Sequence, residues 1–162
     1  MLNFKSLSTT LLFLFILSGC GFKPIHKLSN VNSNAVSFSA EITNSVSREI
    51  IEEVSDNLFQ ENDQNYKVFL TIQEDLTPLI VNTNGTVAKY RIEIEIYYEL
   101  LQIDINKVIS DGTTRGFAQY DVVDSEISNE DTRKNMTKTA AKNALQIMVS
   151  RIQSSIIQLN DN

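Results

Sequence analysis

Tyr90-Arg91-Ile92-Glu93-Ile94-Glu95-Ile96-Tyr97-Tyr98-Glu99-Leu100 alternates without a break. Tyr90, Ile92, Ile94, Ile96, Tyr98 and Leu100 line one side, and Arg91, Glu93, Glu95, Tyr97 and Glu99 the other. Successive side chains of a strand point to opposite faces, so this stretch reads as a strand with one buried and one solvated face. The rest of the chain must supply the cover for that apolar face.

Upstream, Asn84-Gly85 is a turn signal of the kind that joins antiparallel strands, here within a longer Asn82–Thr86 loop. Before it, Tyr66, Val68, Leu70 and Ile72 share one face of another strand. Downstream, Asp104 to Lys107 turns the chain into a further strand from Val108 to Val123, where Gly112 and Gly116 permit a bulge or a close backbone approach. Nearer the N-terminus, Ala35 to Ile42 alternates as a short strand.

Two stretches carry the helical period instead. Val46, Ile50, Val54 and Leu58 recur every four residues, with Arg48, Glu49, Glu52, Glu53 and Asp56 facing outward, and Asn44 or Ser45 is placed to cap the start. At the C-terminal end, Ala141, Ala144, Leu145, Met148, Ile152, Ile156 and Leu159 form the stripe of a long helix, with Ser128 and Asp131 as a capping box. Its acids come first and its bases follow, as the helix dipole favours. The expected order is strand, helix, three strands, helix. Both stripes can be buried only on the apolar face of one sheet, which makes a two-layer α+β domain: two helices on one face of a four-stranded sheet.

The first residues have a different character. Lys5 precedes the apolar run Leu11-Leu12-Phe13-Leu14-Phe15-Ile16-Leu17, which closes in Ser18-Gly19-Cys20. A charged start, a short apolar middle and small residues at the end read as a secretory leader, and the run is too short to span a bilayer. Leu17-Ser18-Gly19-Cys20 resembles the lipobox of bacterial lipoproteins. That resemblance implies cleavage before Cys20, a lipid (diacylglycerol and palmitate) on Cys20, and attachment to a membrane through it. Cys20 is the only cysteine, so no internal disulfide can form. Gly21, rather than Asp, follows it, which by resemblance to enterobacterial sorting implies the outer membrane, on its periplasmic side. The expected organisation is a signal peptide over residues 1–19, a lipidated N-terminus and tether over 20–34, and a single α+β domain over 35–162.

Removing residues 1–19 from the 162 leaves 143, enough for one core. The leader carries one charge, Lys5, so the precursor's net −6 becomes about −7. Nucleic acid is therefore not an expected partner. The catalytic inventory is thin. His26 is the only histidine and lies in the tether; no nucleophile elbow, zinc signature or phosphate-binding glycine loop is present. Glu93 and Glu95 could do acid–base work but read more simply as a solvated strand face partnered by Arg91. Asp121, Asp124 and Glu126 lack the spacing of a calcium loop. No enzyme activity, metal or cofactor is expected. Lys89, Arg91 and Arg115, with Lys107, form a basic group that could offer charge-assisted bonds to an anionic ligand.

Several stretches together resemble one family. Cys20-Gly21-Phe22-Lys23-Pro24-Ile25 is similar to the opening of the LPS-assembly lipoprotein family LptE. Thr86-Val87-Ala88-Lys89-Tyr90-Arg91 with Tyr98-Glu99-Leu100, and Gly112-Thr113-Thr114-Arg115 with Tyr120-Asp121-Val122-Val123-Asp124-Ser125, look like segments of its alphaproteobacterial branch. The resemblance implies two helices on a four-stranded sheet. It also implies a plug and assembly partner of the outer-membrane barrel LptD, acting in lipopolysaccharide transport; on a net-negative chain the local basic group Lys89, Arg91 and Arg115 is then the expected contact for the anionic head of lipopolysaccharide or for acidic loops of the barrel. An auxiliary lipoprotein of a lipid-transport ABC system is the alternative.

Overall fold

The computed structural model describes residues 38–58 and 65–160. Cys20, His26 and the tether lie outside the described residues, as does the first part of the strand expected from Ala35. The elements are β1 (Phe38–Ile42), α1 (Arg48–Asn57), β2 (Tyr66–Val81), β3 (Val87–Gln102), β4 (Lys107–Asp121) and α2 (Glu126–Asn160). They form the expected α+β fold, with a single sheet in the order β1-β2-β3-β4. β1 runs parallel to β2, and the β2–β3 and β3–β4 pairs are antiparallel.

The alternation of β3 translates directly into burial. Ile92, Ile94, Ile96 and Leu100 are fully buried beneath the helices, and Val68, Leu70 and Ile72 of β2 join them. From above, α1 contributes Ile50, Val54 and Leu58, while α2 contributes Ala140, Ala141, Ala144, Leu145, Met148, Ile152 and Ile156. Leu159, expected on that stripe, is 47% exposed because the helix outruns the sheet's apolar rows there.

Gly116 explains how closely α2 can lie. A Cβ built on it would stand 2.0 Å from the Ala140 carbonyl oxygen and 2.6 Å from the Ala144 nitrogen. The glycine on β4 and the alanines on α2 therefore let backbone meet backbone. Of the two roles expected of the glycines, the close approach is the one found, and the register shift of the β3–β4 ladder lies where Leu100 and Leu101 face Ser110 and Val108.

Both helix starts differ from expectation. The α1 cap is Ser47, whose side chain makes no capping bond. Asn44 is committed elsewhere: its amide donates to the Ile72 carbonyl at 2.7 Å and accepts from the Ile72 N–H at 3.0 Å, extending β1's pairing by one side chain. At α2, Ser128 lies inside the helix and Ser125 receives its N–H at 3.4 Å, so the capping serine is three residues earlier. The two helices are joined by Lys138 Nζ on Glu52 Oε2 at 2.6 Å. That lysine, then Arg48, holds the Glu52 carboxyl below the ordinary glutamate value. No described helix is long and apolar enough to cross a membrane.

Candidate functional site

The sheet face turned away from the helices carries the polar residues of β3. Lys89, Arg91, Glu93, Glu95, Tyr97 and Glu99 follow one another along it, flanked by alternate residues of β2 and β4. The register sets which charges can meet. Lys89 faces Asp121 across the β3–β4 ladder, Glu93 faces Phe117, and Glu95 faces Arg115.

Each of the three cations finds an acid on this face. Lys89 Nζ stands 3.1 Å from Asp121 Oδ1. The Glu93 carboxylate sits between two arginines, 3.6 Å from Arg91 Nη2 and 3.5 Å from Arg115 Nε. Arg115 also donates to Glu95, and that bond raises its pKa above the ordinary guanidinium value. Arg91 and Arg115 thus come together on one carboxylate, that of Glu93. Lys107 does not join them: it pairs with Gln102, at the opposite end of the ladder from Lys89.

The three basic residues differ in what they have left to offer. Arg115 is held by two carboxylates. Arg91 is not. Its guanidinium stacks over the Phe117 ring at 5.6 Å, and its Nε is buried with no hydrogen-bond partner among the described residues. A guanidinium presents five donors, and it is the terminal amino groups of Arg91, not its buried Nε, that an oxygen ligand on this face could meet. Lys89, two residues away on the same face, is the second cation such a ligand would meet.

On the opposite face, past the end of α1's cover, lies a cleft that sequence reasoning missed. Leu76, Tyr90, Tyr120 and Ile127 line it, with Glu130, Arg133 and Lys134 at its rim, around a volume of about 670 Å³. The Tyr90 and Tyr120 rings stack with centroids 5.6 Å apart. Burial raises the Tyr120 hydroxyl's pKa above the ordinary phenol value. The alternation placed Tyr90 on the helix side, but nothing in the sequence showed that α1 would stop short of it.

No protein-family model matches this chain. No curated protein matches it either. Solved structures do. A protein of Caulobacter crescentus CB15 described as a lipoprotein superposes with a TM-score of 0.59, at 16% identity, over 78% of this chain and 93% of that one. An uncharacterized lipoprotein B from Nitrosomonas europaea gives a TM-score of 0.53, at 11% identity, over 72% of this chain and 81% of that one. At these identities the likeness is one of fold.

Proposed function

We infer that this protein is a lipid-anchored outer-membrane lipoprotein that assists lipopolysaccharide assembly, as the plug and assembly partner of an LptD-type barrel. The observation that carries the reading is a coincidence of two independent features. The chain has a lipobox-like Leu17-Ser18-Gly19-Cys20 followed by the LptE-like opening Gly21-Phe22-Lys23-Pro24-Ile25. Its folded part has the architecture of proteins described as lipoproteins, spanning 93% of one of them. Lipid on Cys20 would hold the domain at the bilayer, since two or more acyl chains anchor stably where one does not. The role is one of binding and scaffolding. Arg91 and Lys89 are the groups on the open face that would meet phosphate or carboxylate oxygens of the lipid, or acidic loops of the barrel.

Depletion of the protein in its native cells tests the function. Lipopolysaccharide labelled from outside the cell should fall while newly made lipopolysaccharide accumulates internally. Unchanged surface labelling after depletion would sink the assembly role.

A further inference from the structure

The sheet has three stretches of edge, which differ in length and in what covers them. Along β4, α2 lays side chains over the outward carbonyls: Arg151 donates to Thr113 at 2.8 Å and Asn143 to Phe117 at 3.4 Å. β1 offers only five residues of edge. The third stretch is β2 beyond the end of β1. There the outward main-chain groups belong to every second residue: Leu70 accepts from the Thr43 N–H, and Ile72 is closed by Asn44. Glu74 and Leu76 continue that series, and their outward N–H and C=O groups meet no partner among the described residues. Pro78 follows, whose outward position has no N–H, so an added strand could only donate to its carbonyl there.

The same stretch borders the cleft. Helix α1 is ten residues long, about 15 Å, whereas β2 has sixteen residues, about 53 Å. Past Ile72 the helix layer therefore covers β3 and β4 but leaves the inner side of β2 open. Leu76 is 42% exposed there and Ile127, on the facing turn of α2, 78%. On the inner face the Glu74 carboxylate accepts from the Thr137 hydroxyl of α2 at 3.3 Å, while Asp75, on the outer face, makes no ion pair among the described residues.

We propose that this notch receives an extended segment of a partner protein, which adds as a strand along Glu74–Pro78 and places an apolar side chain between Leu76, Tyr90, Tyr120 and Ile127. Unpaired ladder groups beside a cleft for alternate side chains are what strand addition uses, the first for affinity and the second for specificity. A helix or a lipid tail would fill the cleft but leave the ladder groups unmet. The proposal concerns a surface separate from Arg91 and Lys89, and it stands whether or not the partner is a barrel.

The test uses full-length protein and a synthetic ten-residue peptide of alternating valine and threonine with lysine at each end. A second peptide has the same side chains but N-methylated backbone amides, which cannot form a ladder. Hydrogen exchange at the Glu74 and Leu76 amides should slow at least tenfold with the first peptide and not with the second. Ile127→Ser, at an exposed position, should weaken the effect without changing the thermal midpoint. Equal protection by both peptides would overturn strand addition in favour of simple apolar docking. No protection by either at millimolar concentration would also overturn it. So would protection in the protein alone that grows with its concentration, which would assign the edge to a second copy.

Discussion

Gly116→Ala adds one methyl group where α2 crosses β4, and two effects of opposite sign compete. Replacing a glycine normally stabilises by about 0.4–1 kcal/mol, because the unfolded chain loses freedom. Against this, the new Cβ would lie 2.0 Å from the Ala140 carbonyl oxygen, 2.6 Å from the Ala144 nitrogen and 3.0 Å from the Ala140 carbonyl carbon. All three are backbone atoms, so no rotamer change relieves the overlap. The helix would have to retreat by more than about 1 Å to restore ordinary contact, loosening dispersion contacts along its length. Ala140, Ala141, Ala144 and Leu145 are completely buried on that face, so the retreat unpacks the centre of the core. Overpacking of this kind costs about 1–3 kcal/mol or more, which exceeds the entropic gain. The net loss should be about 2 kcal/mol, or a fall of about 4–8 °C in thermal midpoint for a domain of this size. Urea denaturation should show a lower midpoint with an unchanged slope. Gly112→Ala is the control: the nearest atoms to its Cβ would be the Tyr98 hydroxyl oxygen at 3.1 Å and two Tyr98 ring carbons at 3.3 Å, and a side chain can shift where backbone cannot. A Gly116→Ala protein as stable as the wild type would refute the close crossing of α2 over β4.

Three further outcomes are expected. Glu52→Gln should flatten both limbs of the stability–pH curve: the depressed carboxyl stabilises above its unfolded value of about 4.3 and loses that contribution as pH falls through the folded value. Lys138, raised by the same bond, contributes below its unfolded value of about 10.4 and loses it as pH rises through the folded one; denaturation midpoints from pH 3 to 11 read both limbs. Arg91→Gln with Lys89→Gln should weaken binding of purified lipopolysaccharide at low salt, with little change in thermal midpoint; wild-type affinity would leave both residues as partners of Glu93 and Asp121. Cys20→Ser should abolish palmitate labelling and flotation with membranes, and unchanged flotation would contradict the lipid anchor.

What could be read from the sequence was whatever a single residue's neighbours determine. The Ile92–Leu100 alternation located β3 and its buried face because period two admits no other reading. The four-residue spacing of Ile50, Val54 and Leu58 did the same for α1. The distal half of β2 was not legible: Leu76-Thr77-Pro78-Leu79-Ile80-Val81 has no alternation and contains a proline, and it is a strand because β3 pairs with it. The caps were misplaced for a related reason. Asn44 and Ser128 have capping chemistry, but Asn44 finds a better use on Ile72 and Ser128 falls after the helix has begun. For the candidate site, local spacing showed that Lys89 and Arg91 share a face. Which acids hold them depends on the β3–β4 register, and only the fold supplies that. The same holds for Lys107, which charge type placed with the cluster and the register places at the other end.

The central claim is met most directly by purifying tagged full-length protein from its native membranes in mild detergent and identifying what remains bound. The account predicts a stable complex with a large outer-membrane β-barrel, lost when Cys20→Ser protein fails to reach that membrane. Recovery of an inner-membrane ABC transporter instead, or of no stable partner at all, would contradict it.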